Sequence, residues 1–474
     1  MFARDRPWFE VPPRVHLMAA GDWCTMVTAA GSGYGHWRGL AITRWQPDAV
    51  CDADGCFVLL RDTATGHHWS TTWQPVSPTA SAPQHCEVTF DEGCTRFERR
   101  EGTIFSVLEV APLASGSGEV RRIELVNEGE AVRCVDVVSY LPLVLGLAAA
   151  DAAHPAYSKM FVQTARIESE RFGELLLAWR RKGSPDDPDV VAAHGCCSEG
   201  EGVQNAGFET DRMQFIGRGR SLHDALALST GAPAPGRLGS VLDPVFSLRR
   251  RVTLAPGARV CLAFWTVTAP NRESVLDCAA GCWKQGVFRQ ALADGSATAR
   301  ARRLKLHLSE SDVEVFQRLG AGLLYGERGL RASSDQLARA SGGPPVLWSL
   351  AISGDRPIAL ARIDQAEQSA LVEQLLAAQR WWDEMGIGVD VVVVWDGHAD
   401  GSLGKRLDQA KENRSELPLG GAFHVVSNQD LTDAQRDGLA AAARLVFDGE
   451  HGGLADQLRR VRESASPHPW PDRV

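Results

Sequence analysis

Apolar residues in the first 270 positions come in short runs rich in Val, Ile, Phe, Trp and Thr, broken by Gly, Pro, Asp and Asn. That rhythm predicts an all-β domain from about residue 15 to 270, with enough strands for a large two-sheet sandwich. Arg122 to Val126 and Ala131 to Val138 flank Asn127-Glu128-Gly129-Glu130, which reads as a hairpin loop with Gly129 at positive φ. Phe246 to Leu254 and Arg259 to Val267 flank Ala255-Pro256-Gly257-Ala258, where Pro then Gly suits a type II turn of a second hairpin. In the first strand of that pair, Ser247, Arg249, Arg251 and Thr253 form a polar face opposite Phe246, Leu248, Val252 and Leu254. The second strand is apolar on both faces, with Val260, Leu262 and Phe264 on one and Cys261, Ala263, Trp265 and Val267 on the other. It is expected to be covered on both sides.

The period changes after residue 270. Glu273 to Trp283 and Val287 to Leu306 read as helices, and Val313, Phe316, Leu319 and Leu323 fall at helical spacing. Residues 271–345 are therefore expected to form a helical linker, ending in a helix fragment and loop over Ser333 to Pro345. From 346 to 463, strands at Ile358 to Ile363, Val389 to Trp395, Ala422 to Ser427 and Leu445 to Phe447 alternate with helices. Asp364 with Glu367 and Thr432 with Gln435 offer capping boxes. This alternation predicts a parallel sheet with right-handed crossovers, a small Rossmann-like three-layer α/β domain. Residues 464–474 read as a disordered tail.

Composition narrows the function classes. With 474 residues, two or three domains are expected, and 44% hydrophobic with 23% charged residues is ordinary for a globular chain. A formal charge of −9 argues against a nucleic-acid partner. The eleven cysteines are scattered without a CxxC pair, so reduced thiols are expected and no metal site. The apolar run Val137 to Ala150 is broken by Ser139, Tyr140 and Pro142 and is too short to span a membrane, and no signal-peptide core precedes it. A cytoplasmic location is the resulting expectation.

Three kinds of candidate chemistry can be weighed from the residues. A nucleotide-binding Rossmann unit needs a Gly-rich turn after its first strand. Here Ile363-Asp364-Gln365 has none, and Gly397 and Gly401 lack the GxGxxG spacing, so no cofactor is expected. Tyr34, His36, Trp37, Arg44 and Trp45, with His67, His68, Trp69 and Trp73, supply the flat faces and polar groups that grip sugars. Tyr34, Trp37 and Arg44 are equally readable as core or as sugar contacts, whereas Trp45 and Trp69 read more as core. Asp243, Asp355, Asp396 and Asp400 are candidate carboxylates for glycoside chemistry, with Asp355 better read as a turn residue. Among 59 acidic residues, spacing selects no pair.

Several long stretches point to one family. GSGYGHWRGLAITRW, the following TWQP, ADAAHPAYSKMFVQT, FETDRMQFIGRGRS and GSVLDPVFSLRRRV resemble the region upstream of the phosphorylase portion of bacterial cyclic β-1,2-glucan synthases. More broadly, they resemble the N-terminal β-supersandwich of cellobiose- and chitobiose-phosphorylase-like proteins. LWSLAISGDRPIALARI and the α/β stretch after it also match synthase-type chains, so the resemblance runs from about residue 20 to 460.

The resemblance implies a large antiparallel β-supersandwich over 1–270 that serves as a carbohydrate-binding-type scaffold. In the family it packs against an (α/α)6 barrel carrying the general acid and the phosphate site. No stretch here has the length for that barrel, so no catalytic residue carries over and the expectation is an accessory module that is not catalytic alone. Tyr34, Trp37, Arg44 and Trp45 carry over as possible sugar contacts. The implied partners are a β-glucan oligosaccharide or a protein bearing the barrel. The alternatives are a share in a phosphorylase or transglycosylase whose barrel is on another chain, or a structural, homodimerising domain.

Overall fold

The computed structural model describes residues 10–464 apart from 77–84, 186, 232–234, 284–286 and, save for 404, 405, 407 and 409, 397–416. The alternation also predicts a helix around Leu403 to Lys411; that segment, Asp400, Gly397, Gly401 and the expected tail lie wholly or largely outside the described residues. The chain separates into two compact units, Met1–Arg302 and Arg303–Val474. That boundary falls inside the segment expected as a linker. The helix Arg272–Cys282 buries Val275, Ala279 and Cys282 in a core cluster of the first unit, whereas Glu310–Tyr325 buries Phe316 and Leu319 in the second.

The first unit opens with β1 (Val15–Ala20), β2 (Trp23–Thr28), β3 (Gly33–Trp37) and β4 (Leu40–Thr43), an antiparallel meander, then β5 (Phe57–Asp62) and β6 (His68–Ser70). A second sheet takes β7 (His85–Asp91), β8 (Cys94–Glu101), β9 (Ile104–Pro112) and β10 (Gly118–Asn127). The chain then alternates between sheets. β11 (Arg133–Gly146) lies in the first, and β12 (Val162–Ser169), β13 (Gly173–Arg180) and β14 (Val191–Glu199) lie in the second. β15 (Val203–Asp211) and β16 (Pro244–Leu254) return to the first, and β17 (Arg259–Ala269) closes the second. The nine-stranded sheet runs β1-β2-β3-β4-β11-β16-β15, with β5 and β6 attached through β11. The eight-stranded sheet runs β12-β13-β14-β17-β10-β9-β8-β7.

Between the sheets, Leu60, Val137 and Leu248 meet Leu108, Ile123, Leu262 and Phe264 in one core. Each such side chain contributes about 1.5–3 kcal/mol by leaving water. The core also encloses a polar bridge. His194 of β14, sandwiched between the rings of Phe246 and Phe264, is 2.8 Å from Ser139 Oγ of β11 and 3.0 Å from Thr266 Oγ1 of β17. Burial lowers its pKa to about 3, so it stays neutral and fully hydrogen-bonded.

Neither expected hairpin forms. β10 pairs with β9 and β17, and β11 with β4, β5 and β16, so the 127–130 loop carries the chain from one sheet to the other. The 255–258 turn carries it back from β16 to β17. The two crossovers lie side by side: Asn127 Nδ2 donates to Ala131, Leu254 and Ala255 carbonyls, and Gly257 N donates to Asn127 O. Gly257 has φ +71 and Ala258 N bonds to Ala255 O, so the local turn is as expected although its strands part. Gly129 has no positive φ, because Asn127 rather than a glycine turn organises that loop.

Helices cover both outer faces. Ala263, Trp265 and Val267 of β17 pack under Val275, Ala279 and Cys282, which is why that strand is apolar on both sides. On the other sheet, Ser247 and Arg249 are buried as well, beneath the 212–229 insertion, whose Phe215, Ile216 and Leu228 pack on Leu59, Val138 and Tyr140. Half of the polar face of β16, Ser247 and Arg249, is therefore an inner surface, whereas Arg251 is partly exposed and Thr253 exposed. Asp136, fully buried, receives both nitrogens of a forked pair from Arg251 at 2.7 and 3.1 Å.

In the second unit four parallel strands, β18 (Ile358–Ile363), β19 (Asp390–Trp395), β20 (Phe423–Ser427) and β21 (Leu445–Asp448), are ordered β20-β19-β18-β21. Helices Ser369–Glu384, Asp433–Ala442 and Leu454–Ser464 accompany them. The capping box at Thr432 and Gln435 is present. At the other end Gln365 pairs with Gln368, not Asp364 with Glu367, because Gln368 Oε1 accepts both the Asp364 and Gln365 N–H groups. Among the described residues no helix is long and apolar enough to cross a membrane.

Candidate functional site

The C-terminal end of β11 and the chain ends beside it gather charged side chains from five separate stretches. Arg44 follows β4, its backbone N–H bonded to Pro142 O where β4 pairs with β11. Its guanidinium is a fork on Asp151, with Nε at 2.8 Å and Nη2 at 3.0 Å, and also reaches Leu143 O at 3.1 Å and Asp243 at 3.3 Å. Asp151 stands on the short helix Ala148–Ala153. Asp243 precedes β16 and takes Lys159 at 3.0 Å and Arg212 at 3.2 Å. Arg212 opens the helix Arg212–Ile216, capped by Asp211, and donates to the Tyr140 hydroxyl at 2.8 Å.

Three cations thus hold two carboxylates. Burial pushes the Asp151 carboxyl up, but hydrogen bonds and charge from Arg44, with Ser158 and Lys159, outweigh it and hold it below the usual carboxylate range. Burial pushes Tyr140 up to about 12, so its hydroxyl stays protonated. Asp54 moves the other way from Asp151, raised by desolvation against the pull of Arg212 and Arg44. Glycoside cleavage needs a carboxylic acid poised to give a proton. Asp151 is an anion and Asp243 is taken up by three cations, so these two carboxylates lock five stretches of chain together, and Asp54 is the neighbouring carboxyl whose protonated form is favoured.

Of the residues read from the sequence as sugar contacts, Arg44 lies at the heart of this lock and is 15% exposed. Trp45 is half-buried beside it, its Nε1 donating to Ser32 Oγ at 3.0 Å and its ring tilted against Tyr34 with centroids 5.4 Å apart. Tyr34 is 3% exposed and stacked on His36, and Trp37 is 4% exposed inside the sandwich core. The structure therefore brings Tyr34, Arg44 and Trp45 into one neighbourhood and puts Trp37 in the core. Trp69 is core, with His67 stacked on it. Asp355 sits in a bend, and Asp396 lies at the end of β19, in the other unit.

Asp151, Lys159, Arg212 and Glu209 were not singled out in the sequence, although each lies in a stretch quoted for the resemblance. Glu209, fully buried, accepts the N–H groups of Thr210, Asp211, Gly236 and Arg237 and so fixes the loop leading to Asp243. The available signal was unlike charges inside those long motifs. Around the lock, Leu147, Tyr157, Met160, Met213 and Leu242 are half or more exposed, three of them chain neighbours of Lys159, Arg212 and Asp243.

Elsewhere in the unit, His85, Glu87 and Glu98 bring three possible metal-ligand atoms within 4.8 Å on the β7–β8 edge, with Glu98 already paired to Arg96 at 2.8 Å. All eleven cysteines are free, and burial raises the thiols of Cys56, Cys94, Cys196 and Cys282, which suppresses thiolate chemistry.

The description "Glycosyl hydrolase 94, supersandwich domain" matches residues 3–282. The chain belongs to this supersandwich family. It is 35% identical to the cyclic beta-(1,2)-glucan synthase NdvB of Rhizobium meliloti (strain 1021) over 453 residues, covering 94% of this chain and 16% of the synthase. It is 22% identical to the N,N'-diacetylchitobiose phosphorylase of Vibrio proteolyticus over 54% of this chain and 31% of that enzyme. The supersandwich chain thus spans well under half the length of either relative. A bacterial glucoamylase complexed with acarbose superposes with a TM-score of 0.41 at 6% identity, over 66% of this chain and 40% of that one, a likeness too slight to argue from.

Proposed function

We propose that the first unit is an accessory module of β-glucan metabolism. It presents a preformed loop face to a catalytic barrel of the glycoside-phosphorylase type and supplies glucan contacts beside Trp45. The observation that carries this reading is the locked cluster with its apolar rim. Arg44, Asp151, Lys159, Arg212 and Asp243 satisfy one another, so the loops are held before any partner arrives, while Leu147, Tyr157, Met160, Met213 and Leu242 stay in water. Exposed apolar side chains gathered in one place mark an interaction surface, although here they surround a polar centre, the inverse of the common apolar core with a polar rim. Catalysis is left to the partner, because Asp151 and Asp243 of this face are committed to cations.

The test is titration of the full chain with a separately produced barrel from a family relative, and with linear and cyclic β-1,2-glucans. The reading expects barrel binding that the triple variant Tyr157→Ser, Met160→Ser, Met213→Ser weakens at least about tenfold, and glucan binding that Trp45→Ala weakens. No binding of either probe at millimolar concentration, or glucan turnover by the chain alone, would overturn it. A dimer dispersed by the same triple variant would replace the barrel with a second copy as the occupant of the face.

A further inference from the structure

The second unit carries a cavity that the sandwich reading does not use. In an open parallel sheet, ligands sit outside the carboxyl ends of the strands where the strand order reverses. Here the chain runs from β18 outward to β19 and β20, then returns to β21 on the opposite side of β18. At that reversal lies a cavity of about 320 Å³, at the small end of ligand pockets and sized for one or two sugar rings. Its floor is apolar, with Leu360, Val394, Leu431 and Leu439 of one core cluster.

Its polar lining has an unusual balance. The strand ends contribute Asp364, Asp396 and Asp448, joined by Glu450. Against them stand two arginines. Arg436 is committed to the fold: its guanidinium donates to Asn428 Oδ1, Asp433 Oδ1 and the Asn428 and Leu431 carbonyls. Arg362, on β18 opposite Asp448 of β21, is not: its Nη2 is buried without a hydrogen-bond partner among the described residues. Burial lowers its pKa against the pull of Asp448 and Asp437, and Asp437 is itself held by a fork from Arg339 at 2.8 and 3.1 Å. A buried N–H without an acceptor costs stability and calls for an oxygen from outside.

The ligand class follows from these groups. Four carboxylates around one uncommitted guanidinium repel a phosphate, and the Asp364-Gln365 turn supplies no glycine cradle for one. A polyol fits: its hydroxyls donate to carboxylates, one oxygen accepts from Arg362, and its C–H face lies on the aromatic ring of Trp395, which also lines the cavity. We propose that this crevice binds a neutral saccharide of one or two rings, held by Arg362, the strand-end carboxylates and Trp395. Its lining residues all belong to the second unit.

The experiment is calorimetric or saturation-transfer titration of the full chain with glucose and with the β-1,2-linked disaccharide sophorose, using inorganic phosphate and ADP as charged counter-probes. The expected result is saturable sophorose binding that Arg362→Met and Asp396→Asn each weaken at least about tenfold, the loss expected from one charge-assisted hydrogen bond. Trp45→Ala, in the other unit, should leave it unchanged, which separates this site from the glucan contacts proposed above. Asp396→Asn removes a charge at the mouth of the crevice, so it keeps the test decisive if Arg362→Met perturbs folding. No sophorose or glucose binding at tens of millimolar overturns the proposal. So does binding indifferent to both variants, or binding of ADP or phosphate in the saccharide's place.

Discussion

Arg44 and Arg362 are both partly buried arginines at the end of a strand, yet their surroundings differ. Arg44 uses its donors on Asp151, Asp243 and Leu143 O, and the loops it joins become one rigid face. Arg362 keeps a buried nitrogen without an acceptor among the described residues, in the lining of a cavity. The difference teaches how to tell a structural lock from a binding site within one chain. A satisfied ion cluster spends its hydrogen-bonding capacity on the fold, and an unsatisfied one holds capacity in reserve.

Four measurements would break or sharpen that contrast. The largest effect is expected in the core beside the lock: Trp37→Ala should cost about 3–5 kcal/mol by leaving a cavity, whereas half-buried Trp45→Ala should cost about 1 kcal/mol. Denaturant unfolding followed by fluorescence reads both, and equal losses would remove the distinction between core and rim aromatics. Next, Asp151→Ala should destabilise the first unit by about 3 kcal/mol, because Arg44 is left partly buried and under-paired. A loss under about 0.5 kcal/mol would show that the lock is a surface pair.

Third comes pH. His16 and His194 have folded pKa values of about 3 against an ordinary 6.5, lowered chiefly by burial. Stability from keeping them neutral is whole above pH 6.5 and is lost as pH falls from there toward 3, by on the order of 1 kcal/mol per unit per histidine. Replacing His194 with Gln should flatten that slope, and an unchanged slope would mean that other groups drive acid unfolding. The smallest effect belongs to the second unit: Arg362→Met should change stability by no more than about 1 kcal/mol, in either direction, since it deletes a buried unpaired donor. A loss of several kcal/mol would make Arg362 a lock like Arg44.

Much of the second unit was legible because its information is local. β18, β20 and β21 each fall within a residue or so of the expected strands, and the Thr432–Gln435 box is a contact three residues apart. In the sandwich, the same local reading found the strands β10, β11, β16 and β17 and the Pro256-Gly257 turn but misjudged which strands pair. A turn of suitable chemistry connects sheets as readily as it closes a hairpin, and only the hydrogen bonds of Asn127, 127 to 131 positions from its partners Leu254 and Ala258, select between them. Nor could the polar face of β16 be placed, since Arg249 and Ser247 are covered by an insertion some 20 to 35 residues earlier in the chain.

What the amino-acid sequence determined by itself was the set of elements, the two fold types and the family, because periodicity, turn residues and long motifs are properties of neighbouring positions. What the tertiary structure alone decided was which charges meet. Arg44 is 107 positions from Asp151 and 199 from Asp243, and no spacing rule spans such separations. The same holds for Arg362, whose nitrogen is buried without an acceptor among the described residues once four strands and the helix Asp433–Ala442 have closed around it. Satisfaction of a polar group depends on the folded neighbourhood, and it is there that the lock and the crevice part ways.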